Sequence, residues 1–146
     1  MIRIIYEFIV ANPDDAFSIA NYNIEHFSFP YFRCFNLDIS CLAQLYFLCE
    51  QKPYNDQFLS QFSLLEQNKE KKQSVIMLPD RFWKSLCNLD HQRIHIILQH
   101  WKESENSRFS RWHKNFRNNV LTNLIDLSKQ CAENNLSLLL KIRMQY

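Results

Sequence analysis

The chain has 146 residues, nearly half of them apolar, with 12 Phe, 6 Tyr and 3 Trp and a formal charge of +2. That composition fits one folded domain over residues 1–146 and excludes a disordered chain. The near-balanced charge gives no argument for a polyanionic partner or a charged membrane surface. There is no glycine at all. Its absence removes the Walker loop, the dinucleotide-binding loop and the nucleophile elbow together, because each needs a backbone that turns through positive φ or closely approaches phosphate.

In chain order, Ile2–Val10 alternates as a strand. Ile2, Ile4, Tyr6, Phe8 and Val10 share one face; Arg3 and Glu7 mark the other, with Ile5 and Ile9 among them. Two largely apolar faces predict a strand covered on both sides. Asn12-Pro13-Asp14 is a turn, after which Asp14 or Asp15 is placed to cap a helix through Ala16, Ile19 and Ala20. Glu25–Leu37 holds Phe27, Phe29, Tyr31, Phe32 and Phe35 around Pro30 and reads as irregular chain or a short edge strand. Asp38 is positioned to cap a helix whose stripe is Cys41, Leu42, Leu45, Leu48 and Cys49, ended by Lys52-Pro53. Tyr46 and Phe47 fall off that stripe, so this helix should touch two layers.

Asp56–Gln67, with Phe58, Leu59, Phe62 and Leu65, predicts a further amphipathic helix. The charged run Asn68–Gln73 is a solvated connector, and Val75–Leu78 a short strand. Leu78–Glu103 then predicts two helices joined by a tight corner, the first opened by Pro79 and the second capped by Asp90. On the second, Ile94, Ile97, Leu98 and Trp101 form one stripe. A long helix is expected from about Arg111 to Glu133, with Asn134-Asn135 taking the left-handed turn after it, then a terminal strand over Leu136–Met144. The expected fold is α+β and predominantly helical: about five helices packed on a small sheet that contains the N- and C-terminal strands.

Few residues suggest chemistry. His91 and His95 stand at metal-ligand spacing, roughly 60° and 100° from Ile94 on a helical wheel, but His100 falls on the opposite side. The residue after His91 is Gln92, where a metalloprotease helix needs glutamate. Five cysteines show no zinc-ribbon spacing and read as buried thiols of a reducing compartment. No catalytic residue, metal site or cofactor is therefore expected. No segment reads as a signal peptide or a membrane span, so the expected location is the cytoplasm. Arg108–Arg117 is the most distinctive surface stretch: Arg108, Arg111, Lys114, Arg117 and His113 interleave with Phe109, Trp112 and Phe116. Core packing with solvated cations is the plain reading; contact with a protein partner comes next, and single-stranded nucleic acid last.

The order NPDDAFSIAN, LDISCLAQLYFL and LPDRFWKSLCNLDHQRIHIILQHWKE, closed by a Leu-rich helix and strand, resembles small bacterial immunity proteins of polymorphic-toxin and contact-dependent growth inhibition systems. The resemblance spans most of the chain and rests on hydrophobic spacing, Trp101 and the Pro-Asp turns. It implies an inhibitor that binds one cognate toxin stoichiometrically and catalyses nothing. Asp14, Asp15 and Glu25 are the carboxylates such a protein could present to a basic toxin surface. The alternative is a helical regulator that binds nucleic acid through Arg108–Arg117.

Overall fold

A computed structural model describes residues 3–35, 37, 39–101 and 114–145. Its centre is an antiparallel sheet of β1 (Arg3–Ala11), β2 (Tyr31–Phe35), β3 (Ser63–Asn68), β4 (Gln73–Met77) and β5 (Ser137–Gln145), in the order β2-β1-β5-β4-β3. The two terminal strands lie side by side in its middle, with Glu7 opposite Lys141 and Phe8 opposite Leu140. The helices are α1 (Ala16–Asn21), α2 (Ile39–Glu50), α3 (Asp80–Cys87), α4 (His91–Trp101) and α5 (Lys114–Asn134). Short 3-10 turns cover Pro13–Asp15, Ile24–His26 and Asp56–Gln61. The fold is α+β.

Both faces of the sheet are covered, as the double apolar alternation of β1 predicts. Tyr6, Phe8 and Val10 join Leu138 and Leu140 beneath α2, α3, α4 and α5 in the larger core. Trp101 is wholly buried there, and its indole Nε1 donates to the Cys41 carbonyl at 3.3 Å, tying α4 to α2. Ile9, Ala11, Val75 and Leu139 face the other way, onto Ala16, Ile19, Ala20 and Ile24. This smaller core is roofed by the six residues of α1 and the 3-10 turn after it, with Phe27 and Phe29 packed against it.

Positions that glycine commonly fills are taken by larger residues. Gln51 (φ 57°) follows α2, and Asn135 (φ 54°) follows α5. In each case the next N–H reaches back into the helix, Lys52 to the Phe47 carbonyl at 3.1 Å and Leu136 to that of Cys131 at 3.0 Å. Both are αL closures of the helix end, of which only the asparagine was expected. Lys72 (φ 53°) makes the same turn in the β3–β4 hairpin, where the Asn68 side chain accepts from the Lys71 N–H at 3.1 Å.

Two local expectations need correction. Asp56–Gln67 is not an amphipathic helix. It forms a 3-10 turn, capped by the Asn55 side chain on the Gln57 N–H at 2.9 Å, and then enters β3. Phe58 leaves the presumed stripe to stack on Tyr46, with ring centroids 4.1 Å apart. The Arg81 guanidinium lies over both rings, and β4 takes the following residues as a strand partner. Tyr46 and Phe47 do serve a second layer, this aromatic one. The second correction concerns the first turn. Asn12, not Asp14 or Asp15, supplies the capping acceptor, taking the Asp14 N–H at 2.9 Å, whereas Asp15 precedes α1 without a side-chain cap bond. Asp90 does cap α4, accepting from the Arg93 N–H at 2.8 Å. Asp38 and the start of the predicted last helix at Arg111 lie outside the described residues.

The five cysteines are free thiols, with Cys34, Cys41 and Cys131 buried. Burial pushes Cys34, Cys49 and Cys131 up to about 12, so these groups hold their protons at neutral pH. Alkylation by iodoacetamide at about pH 8 should therefore be slow at Cys34 and Cys131 in the native protein and rapid once it is unfolded. Mass mapping of the labelled cysteines checks this; rapid native labelling of either would contradict their burial.

Candidate interaction surface

On the α1 side of the sheet, a row of charged residues interrupts the apolar one. Register alone puts Arg33, Glu7 and Lys141 abreast on β2, β1 and β5, with Arg143 one pair further on, opposite Ile5. Glu7 is 1% exposed, which a lone carboxylate would not tolerate. Arg33 donates to Glu7 Oε2 through Nε at 2.8 Å and Nη2 at 2.6 Å, and Arg143 Nε donates to Oε1 at 3.1 Å. Both carboxylate oxygens are thus occupied by charge-assisted bonds. Arg33 Nη2 also reaches Glu25 Oε1 at 2.5 Å, so the 3-10 turn that carries Glu25 is fastened to the sheet. This bond holds Glu25 below the ordinary carboxylate value.

Lys141 is equally buried, and its Nζ donates to the Tyr22 carbonyl at 2.9 Å, while Lys71 Nζ donates to that of Asn21 at 2.9 Å. The two lysines satisfy carbonyls at the C-terminal end of α1, where a cation is favoured by the helix dipole. Burial pulls Lys141 below its ordinary value, with Glu7 acting against the shift.

Around this network stand aromatic side chains that the fold leaves outside. Tyr22, Tyr31 and Phe35 are exposed. Arg33 lies over the Tyr31 ring at 5.5 Å and Arg3 over the Phe35 ring at 5.6 Å. Arginine paired with solvent-facing tyrosine and phenylalanine is the composition that protein interfaces favour and ordinary surface does not. Here the rings sit on a strand, and a buried carboxylate immobilises Arg33 between them, so little side-chain entropy remains to be lost on binding.

Two clefts elsewhere among the described residues are explained by packing. They share Gln51 and Arg93: one of about 280 Å³ lies between the end of α2 and α4, and one of about 220 Å³ between the end of α2 and the α3–α4 corner. Arg93 Nη2 donates to the Leu48 carbonyl at 2.8 Å, closing the C-terminal end of α2. His95 on α4 pairs with Gln99 at 3.2 Å, and His100 lines the larger cleft. No group of His, Cys, Asp or Glu among the described residues is arranged to hold a metal ion.

Of the surface residues singled out in the sequence, Glu25 lies in the charged network, while Asp14 and Asp15 form the 3-10 turn at the end of β1. Lys114 opens α5, and Arg117 is buried on it. Arg108, Arg111, Trp112 and His113 lie outside the described residues. Sequence reasoning did not single out Arg3, Arg33, Arg143, Tyr31 or Phe35. The available signal was Glu7, a carboxylate in the middle of an otherwise apolar strand, which requires cations on its neighbours. No family profile, curated protein or solved structure matches the chain. No helix among the described residues is long and apolar enough to cross a membrane.

Proposed function

We propose that the protein is a bacterial immunity protein that binds one cognate toxin stoichiometrically in the cytoplasm and neutralises it without catalysis. The reading is supported by the resemblance in the ordering of its sequence elements. The structural observation that carries it is the exposed Tyr31 and Phe35 beside Arg33, itself anchored by the buried Glu7. Such a surface is suited to a macromolecular partner, since it is aromatic and carries arginines, with Arg33 held in place before contact. Arginines on this face are matched to carboxylates on the partner, so the contact is expected to lie on an acidic part of the toxin.

The test is expression of the chain together with the product of the toxin gene encoded beside it. Cells carrying both are expected to grow, and cells carrying the toxin alone to arrest. Growth arrest in both, or the lack of such a neighbouring gene, would contradict the proposal. A low-salt oligonucleotide shift that fades steeply with added salt would instead favour the nucleic-acid reading of Arg108–Arg117.

A further inference from the structure

The edge strand β2 has a hydrogen-bonding phase that can be read from one bond. The Val10 N–H donates to the Pro30 carbonyl at 3.0 Å, just before the strand begins. In an antiparallel ladder, bonded pairs alternate with unbonded ones, so Phe8–Phe32 and Tyr6–Cys34 are the next bonded pairs to β1. Phe32 and Cys34 therefore spend their backbone groups inside the sheet. Tyr31, Arg33 and Phe35 turn their N–H and C=O groups outward, where β2 is the last strand. Among the described residues nothing pairs with these groups. The same three residues place their side chains on one face, Tyr31 and Phe35 exposed and Arg33 between them. The opposite edge is closed differently, by a bulge between Leu64 and Glu66 in β3.

We infer that β2 accepts an extended segment of a partner protein as a sixth strand, with a carboxylate of that segment opposite Arg33 and apolar side chains against Tyr31 and Phe35. Charge selects this occupant. Arg33 spends Nε and Nη2 on Glu7 and Glu25, whereas Nη1 makes no hydrogen bond among the described residues and remains available to a third carboxylate. Arg3 and Arg143 add positive charge at the Phe35 end. A second copy of the chain fits poorly: antiparallel pairing of β2 with itself, centred on Arg33, sets two arginines directly opposite each other, an arrangement that destabilises a strand pair. Main-chain bonds would supply affinity and the alternate side chains specificity, as in other strand additions. The inference shares with the proposed function only the premise that the partner is a protein.

The test uses the whole chain and the peptide acetyl-Thr-Thr-Val-Thr-Glu-Thr-Val-Thr-Thr-amide, followed in amide proton–nitrogen NMR spectra. Saturable shifts are expected at Tyr31, Arg33 and Phe35, and none when the peptide's glutamate is replaced by lysine. Phe35→Pro removes an outward N–H without touching the bonds to β1, so it is tolerated at an edge. It should weaken the peptide by at least about tenfold more than Phe35→Ala does, because only the proline deletes a main-chain donor. Shifts that are absent or fall on another face would overturn the inference, as would indifference to the lysine peptide or equal losses from proline and alanine. Shifts at β2 that follow dilution of the chain alone would overturn it in favour of self-association. The lysine peptide needs no change in the protein, so it decides even if a variant misfolds. Growth rescue by the chain is read separately, and survives a failed peptide titration.

Discussion

Trp101→Ala should lower the unfolding free energy by about 3–5 kcal/mol, a large share of the roughly 5–15 kcal/mol that holds a domain of this size. Three losses combine. The side chain is wholly buried in the larger core, so its truncation opens a cavity where α4 meets α2. Ile97 and Leu98, one turn earlier on α4, belong to the same core, and a close-packed interior relaxes only partly into the space. The indole donor to the Cys41 carbonyl disappears as well. Urea unfolding followed by far-UV circular dichroism measures the change. A loss below about 1 kcal/mol would mean that the α4–α2 contact is not where the core is closed.

Glu7→Ala is expected to cost about 3 kcal/mol, at the lower end of what breaking a buried ion pair costs. The reason is what remains. Without the carboxylate, Arg33, Arg143 and buried Lys141 face each other with no anion among them except half-exposed Glu25. Water still reaches Arg33 and Arg143, whose side chains are 31% and 21% exposed, and this relief keeps the loss from being larger. Lys141 has no such relief. Replacing Glu7 and Arg33 together by methionine should recover part of the loss, because the double change removes a charge of each sign. If Glu7→Ala alone is as stable as the parent, the network is decoration rather than the anchor of the arginine surface.

The pH dependence follows from the same group. Burial lowers the Lys141 value in the folded state below the ordinary lysine value of 10.5. Between those two values the unfolded chain binds the extra proton, so stability rises with pH through that window. Removing Glu7 takes away the larger of the two interactions, with Glu7 and Glu25, that oppose the shift. The window then widens, and the Glu7→Ala variant should gain more stability on moving from neutral to alkaline buffer than the parent does.

How much of this was legible in the sequence depends on the range over which each interaction acts. β1, α4 and β5 are marked by periodicity over a whole element, interrupted in β5 only at Leu139, and the two-sided burial of β1 follows from its double alternation. Asp90 and Asn135 act within a few residues of themselves, and their capping and left-handed roles were equally plain. Asp56–Gln67 misled because Phe58, Phe62 and Leu65 have helical spacing, while the choice of strand was made by β4 and the choice of 3-10 turn by Asn55 and the Tyr46 ring. Neither lies within the segment. The charged network was the least legible part. Glu7 pairs with Arg33 and Arg143, 26 and 136 positions away, and only the register of three strands brings them together. A carboxylate in an apolar strand gives notice that cations must be near, without saying which.

The most direct test of action through the arginine–aromatic surface is purification of the chain co-expressed with its neighbouring toxin, with the mass of the product measured by light scattering. A one-to-one complex is predicted, lost when Tyr31 and Phe35 are both changed to alanine although the variant unfolds at the parent's temperature. A chain that elutes alone, or a complex that survives loss of both rings, would contradict the account.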